Sequence, residues 1–462
     1  YSFQNKILGF ASELKSLYKI PSFSFVKSKK SIHLFSQLGY IPTPLSIYNN
    51  VHKLEQATYL KISKNGEIVK NKYWNFNQNQ DQDSYLDLDE LDNLINDSVK
   101  IRMISDAPLG TFLSGGIDST LITMKARENK DDLKTFSLGS FYDKYDESKY
   151  AFKASSILNT DHNQNYLTDH ELITNLNYLS YFYDEPFADS SQIPTMVNSK
   201  YAAEQVKVCL SGDGGDELFG GYPRYYYAKR ISKLSNLFSF SKLFPTLNGE
   251  SEFIKKFNKL KSISKKKNNR INELYFNIVS QTNNKEIMIN YENNIFNEFN
   301  PWNEDKLFED EIDYFRYIDM NAYLMDDILH KVDRGSMSKS LEVRCPLLDH
   351  RIIELVFGKK LKYEKLQTSK IYLRKILEKK FDLSFFDREK KGFSIPVEKY
   401  LLGPLKEKCE YYFSKENQTD NEILNRKKLN NNWQQLKNGN LSNLYGMWFM
   451  YVYHDWVANN NV

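Results

Sequence analysis

Two glycine-rich stretches carry the residues best placed to do chemistry. The first, Leu113-Ser114-Gly115-Gly116-Ile117-Asp118-Ser119-Thr120, follows Thr111-Phe112 and leads into the helix-like run Leu121 to Ala126. A strand that turns through glycines into a helix aims backbone N–H groups and the positive end of the helix dipole at one point, where a phosphate can sit. Ser114, Ser119 and Thr120 add hydroxyl donors, and Asp118 offers a carboxylate to a magnesium ion carrying phosphate oxygens. The lysine of a kinase-type phosphate loop is absent. The stretch therefore suits pyrophosphate as a leaving group, and with it cleavage of ATP between the α and β phosphates. Taken alone it is short, and an ordinary strand–turn–helix corner would also account for it.

The second stretch follows the apolar run Val206-Lys207-Val208-Cys209-Leu210 and reads Ser211-Gly212-Asp213-Gly214-Gly215-Asp216-Glu217-Leu218-Phe219-Gly220-Gly221-Tyr222. Carboxylates crowded this closely repel one another, so a metal ion or a cationic partner is the economical reason to keep them together. A solvated acidic turn would not need so many glycines directly after a buried strand. Asp118 and Asp216 are the expected magnesium ligands. Ser114, Gly115, Gly116 and Ser119 are expected to hold pyrophosphate.

With these loops, four further stretches resemble the asparagine synthetase family of ATP-pyrophosphatases. They are Asp184-Glu185-Pro186-Phe187-Ala188-Asp189-Ser190-Ser191, Lys331-Val332-Asp333-Arg334-Gly335-Ser336-Met337, Leu341 to Arg351 (LEVRCPLLDHR), and Lys390-Lys391-Gly392-Phe393-Ser394-Ile395-Pro396. The resemblance runs in family order from about residue 80 to about residue 400. It implies an α/β fold: a doubly wound parallel sheet of the adenine nucleotide α-hydrolase (PP-loop) type with a helical C-terminal part. It also implies an acyl-adenylate mechanism, in which a carboxylate, L-aspartate foremost, attacks the α-phosphate of ATP and ammonia then displaces AMP. By the same resemblance Leu113, Leu138, Ser211 and Gly212 line the adenosine pocket. Lys390 of the K-x-G-F pattern stabilises charge at the reacting centre. Asp213 stands where asparagine synthetases commonly carry a glutamate tied to adenylate formation. An amidotransferase acting on a sugar uronic acid, a β-lactam-forming synthetase and a non-catalytic nucleotide-binding partner share most of these motifs.

The elements that must position these residues can be read around them. Residues 1–72 contain a hairpin, Tyr59 to Ile62 and Glu67 to Val69, with Asn65-Gly66 expected as its tight turn. This part resembles the end of a class II glutaminase domain, a small β-containing remnant. That domain works through an N-terminal cysteine, whereas position 1 is Tyr1 and no cysteine precedes Cys209. The expectation is a trimmed chain that cannot itself supply the nucleophile, with ammonia or glutamine reaching the site through the rest of that domain. The polar stretch 73–84 reads as a linker, and 85–462 as the ATP-pyrophosphatase domain. Apolar residues Leu88, Leu91, Leu94, Ile95 and Val99 predict its opening helix. Lys134 to Gly139 predicts a strand, and strand–helix alternation from about 108 to 222 predicts a parallel sheet with both loops at strand carboxyl ends. Asp326, Asp327, Lys331, Asp333 and Arg334 share a helical run with Leu324, Ile328 and Val332 and suit either a substrate or a salt-bridge role. Arg344 and Asp349 read as structural.

Composition bounds the rest. Across 462 residues, 63 Lys and Arg against 59 Asp and Glu give +4, too balanced to call for a nucleic acid partner. The basic run from Lys255 to Lys267 reads as a solvated helical insertion. The aromatic tail Tyr445 to Trp456 reads as a packing helix. Three widely spaced cysteines fit a reducing cytoplasm and offer no zinc spacing. No apolar run calls for a membrane, no secretion signal is visible, and nothing excludes a homodimer.

Overall fold

The computed structural model describes residues 1–76, 84–238, 270–282, 287–289, 308, 310–363, 369–388 and 393–460. Its N-terminal segment forms two short antiparallel pairs, β1 (Ser2–Gln4) with β2 (Ile7–Gly9) and β3 (Thr58–Ile62) with β4 (Ile68–Lys72). In the second pair the Ser63 N–H bonds the Glu67 carbonyl at 2.9 Å, and Gly66 is left-handed at φ +82. Asn65-Gly66 thus ends a three-residue loop rather than forming the two-residue turn that its sequence suggests.

Five parallel strands follow: β5 (Leu109–Phe112), β6 (Lys134–Ser140), β7 (Asp161–Leu167), β8 (Val208–Leu210) and β9 (Glu342–Arg344), in the order β7-β6-β5-β8-β9. The two inner partners of β5 are buried because helices cover the sheet, and β8 accordingly reads Val-Cys-Leu without a polar residue. Helices Ile117–Asn129 and Ser148–Leu158 pack with one another and on β5 and β6. Helices Gln192–Ala203 and His330–Met337 form a second packed pair that reaches β6 and β9. From β5 the chain steps to β6 and β7, then returns to place β8 on the other side of β5. The order therefore reverses between β5 and β8, and a crevice opens at the carboxyl ends of strands at such a point.

The edge strands are held differently. β7 reads Asp-His-Asn-Gln-Asn-Tyr-Leu and keeps seven partners along β6, from Lys134↔Asp161 to Ser140↔Leu167. Its polar side chains suit an edge open to water on one side. β9 is only three residues long, but the Arg344 Nη1 group donates to the Arg102 and Ile104 carbonyls at 2.8 Å each. Asp349 caps helix His350–Gly358 through the Arg351 N–H at 3.0 Å and takes Arg102 at 2.8 Å. Both residues are structural, as their sequence context suggests.

The N-terminal segment shares one apolar core with the rest. Helix Lys29–Leu38 buries Ile32, Leu34 and Phe35 completely and lies against the C-terminal helix Leu444–Asn459, with Phe35 and Phe449 rings 6.0 Å apart. The C-terminal helix is buried along most of its length. It donates from Trp448 Nε1 to the Ala188 carbonyl at 2.7 Å and from Trp456 Nε1 to the Asp184 carbonyl at 2.8 Å. Those bonds hold the Asp184–Ser191 loop against the crevice. Trp74 donates to Glu354 at 2.6 Å, and Phe76 packs 4.8 Å from the Phe357 ring. Among the described residues no helix is long and apolar enough to cross a membrane. The basic run 255–267 lies outside the described residues.

Candidate functional site

The crevice between β5 and β8 deepens into a cavity of about 1160 Å³. Leu113, Ser114, Gly115, Gly116, Asp118 and Ser119 line it from the first loop, and Leu138 from the end of β6. From the second loop come Ser211, Gly212, Asp213 and Asp216. Eleven of the twelve sequence-predicted site residues are thus brought together. The twelfth, Lys390, lies outside the described residues, although Phe393 and Ser394 of the same stretch line the cavity.

In the first loop the Ser119 hydroxyl accepts the Ser114 N–H at 3.2 Å and meets the Ser114 hydroxyl at 3.0 Å. The loop is thereby closed onto the first turn of helix Ile117–Asn129, whose N–H groups have no carbonyl partner within the helix. In the second loop the Ser211 hydroxyl donates to Asp213 at 2.7 Å, and its N–H bonds the Arg344 carbonyl at 2.9 Å. The two loops touch. A Cβ on Gly215 would stand 2.2 Å from Asp118 Oδ1, so only glycine allows this approach.

Cations surround the loops. Lys370 Nζ lies 2.5 Å from Asp118 Oδ2 and 2.7 Å from Asp216 Oδ1, with its side chain buried. Lys331 Nζ lies 2.8 Å from Asp189 Oδ2. Arg388 lies 3.1 Å from Glu147 and covers the Tyr150 ring at 3.7 Å. Lys370, Lys331 and Arg388 all line the cavity. Sequence reading missed Lys370 and Arg388, since Ser369-Lys370-Ile371 matches no phosphate motif and Arg388 sits in a charged run. Of the five charged residues weighed on the segment after Leu324, only Lys331 faces the cavity. Asp326 instead accepts the Thr43 N–H at 3.0 Å and its hydroxyl at 2.5 Å. Arg334 donates to the Ser12 carbonyl at 2.6 Å. These two tie the N-terminal segment down.

The carboxyls divide by environment. Burial would raise the Asp189 carboxyl, but Lys331 and the Ser191 hydroxyl and N–H at 2.6 and 2.7 Å outweigh it and bring it to about 2. Asp327 beside it, with the same burial and the Asp189 charge against it, is raised well above the carboxylate range. Glu217, buried and next to Asp216, is pushed up to about 7, and Tyr222 donates to it at 2.7 Å. The site thus keeps an anionic Asp189 paired with Lys331 beside the Asp118–Asp216 pair that Lys370 bridges.

Among the described residues no group of three or more His, Cys, Asp and Glu could cage a metal. Two carboxylates closing on one cation nevertheless suit magnesium, which keeps several waters and takes the remaining ligands from substrate phosphates. The Lys370 ammonium marks where a positive charge sits between them.

The asparagine synthase family model matches residues 90–458, and a glutamine amidotransferase domain model matches residues 1–74. Asparagine synthetase [glutamine-hydrolyzing] 1 of Bacillus subtilis is 29% identical over 418 residues, covering 88% of this chain and 65% of that protein. A putative asparagine synthetase [glutamine-hydrolyzing] 2 of Methanocaldococcus jannaschii is 39% identical over 235 residues, 49% of this chain and 45% of that protein. Asparagine synthetase B [glutamine-hydrolyzing] of Escherichia coli is 27% identical over 271 residues, 50% of this chain and 48% of that protein. The chain therefore spans less than two thirds of the length of these relatives. A family model that covers most of the chain, and two glycine-rich loops that meet at one cavity, lead to one conclusion: the chain belongs to the asparagine synthase family.

Proposed function

We propose that the chain is an ATP-dependent amide-forming ligase. It activates the side-chain carboxylate of L-aspartate as an acyl-adenylate with release of pyrophosphate, and aminates it with ammonia to give L-asparagine. The observation that carries the reading is the meeting of Asp118 and Asp216, from the helices that follow β5 and β8, at one cation in a cavity also lined by Lys331 and Arg388. Attack of a carboxylate on a triphosphate brings two anions together, and fixed positive charge is what lowers that barrier.

Ser114, Gly115, Gly116 and Ser119 hold the leaving pyrophosphate through hydroxyls and N–H groups at the helix N-terminus. Asp118 and Asp216 hold magnesium, which neutralises phosphate charge when bound. Leu113, Leu138, Ser211 and Gly212 line the adenosine side. Asp213, oriented by the Ser211 hydroxyl, and Lys390 act at the reacting centre. Ammonia comes from glutamine through an amidotransferase domain, of which residues 1–72 form the last part. Residues 73–84 link it to the ligase domain, 85–462.

Incubation with ATP, magnesium, ammonium and labelled L-aspartate, beside a panel of sugar uronic acids, tests the substrate. Labelled L-asparagine with stoichiometric AMP is the expected result. Amide formation on a uronic acid alone would move the activity to polysaccharide modification. Nucleotide binding with no amide from any carboxylate would sink the ligase reading.

A further inference from the structure

Lys370 does more than line the cavity. It precedes helix Ile371–Leu377 in the left-handed region, at φ +59, where a non-glycine residue is strained and needs support from its surroundings. Its side chain is 5% exposed, and its ammonium bridges Asp118 and Asp216. Gly221 makes room for it: a Cβ there would stand 2.0 Å from Asp216 Oδ1 and 2.1 Å from Lys370 Cε. Left-handed backbone, a glycine gap and two converging carboxylates all serve the placement of one ammonium.

Resting on the reading of Asp118 and Asp216 as magnesium ligands, we propose that Lys370 is a built-in counter-cation. It fills the place between the two carboxylates in the nucleotide-free protein, and free divalent metal is excluded until it arrives on a triphosphate. The physical chain is short. Magnesium–oxygen contacts of about 2.1 Å leave no space for an ammonium on the same oxygens. A metal entering alone must displace a tethered cation and leave it buried without an anion, which is costly. A metal entering with ATP brings phosphate oxygens that give the displaced ammonium new partners. Metal and nucleotide therefore strengthen each other's binding, by the same factor in either order.

Manganese binding, followed by electron paramagnetic resonance and calorimetry, tests this without catalysis. The nucleotide is α,β-methylene-ATP, which cannot be cleaved at the reacting bond. Wild type should bind manganese weakly alone and roughly tenfold or more tightly with the analogue. K370M and K370Q should each bind manganese alone roughly tenfold more tightly than wild type and lose most of the nucleotide dependence. D118N in the K370Q background should remove the gain. Manganese binding by a folded K370Q that equals wild type in the absence of nucleotide would overturn the proposal. So would independent binding of manganese and analogue by wild type, a measurement that needs no variant. If D118N and D216N leave manganese–analogue binding intact, the ligand assignment fails instead, and the counter-cation role falls with it.

Discussion

Asp118 and Asp216 enter the crevice from the first turns of the helices that follow β5 and β8, and their usefulness depends on where their oxygens stand rather than on their number. Replacing either by asparagine keeps shape and removes charge. D118N and D216N are each expected to lower the rate of ATP cleavage by about 10²- to 10³-fold. The melting temperature should fall as well, since each variant takes from the buried Lys370 ammonium one of its two carboxylate partners. A rate within threefold of wild type, taken as roughly the error on such a comparison, would remove that residue from the site. Gly215 offers a sharper test because it carries no side chain that could take part in the chemistry. In G215A the new Cβ would meet Asp118 Oδ1 at 2.2 Å and push the carboxylate aside. Activity should drop at least about tenfold with the fold intact, as small misplacements of a reacting group do. Unchanged turnover would mean that Asp118 need not stand where it is seen.

At the scale of elements, the C-terminal helix Leu444–Asn459 clamps the N-terminal segment and the Asp184–Ser191 loop together, and it contains a buried histidine. His454 donates from Nδ1 to the Met450 carbonyl at 2.7 Å and accepts Arg426 at Nε2, at 2.9 Å. Burial, with Arg426 adding to it, lowers its pKa to about 4, so the folded protein keeps it neutral. An unfolded histidine titrates near 6.5, so the unfolded state binds the extra proton first as pH falls. Stability from this group is complete above about pH 6.5 and is lost down to about pH 4, a cost of order 3 kcal/mol. Urea titrations across that range should show the decline in wild type and a flatter profile in H454Q. Identical slopes would place the pH response elsewhere. On the facing helix, F35A empties a fully buried site and should cost about 3–5 kcal/mol in the same titration. A cost under about 1 kcal/mol would mean that the two helices can close the gap.

Across the whole molecule, what could be read from the chain follows from how each part signals. β8 announces itself as a wholly apolar strand and β5 by running into glycines, whereas β6, Lys-Thr-Phe-Ser-Leu-Gly-Ser, shows only Phe136 and Leu138 in alternation; both loops stand out because glycines and carboxylates cluster in them. β7 gives no such signal, since an edge strand can be built from Asp, His, Asn and Gln. β9 is too short for any periodicity. Lys370 was invisible because its partners lie more than 150 residues away in sequence and meet it only when the sheet closes. The same closure brings eleven distant residues to one cavity, and that cavity carries the central claim: the chain cuts ATP between its α and β phosphates to activate a carboxylate. ATP–pyrophosphate exchange tests it most directly, using the purified protein with magnesium and L-aspartate and no ammonium. The account predicts exchange that depends on both aspartate and magnesium and collapses in D118N and D216N. Release of ADP and phosphate instead, or exchange unchanged by either substitution, would contradict it.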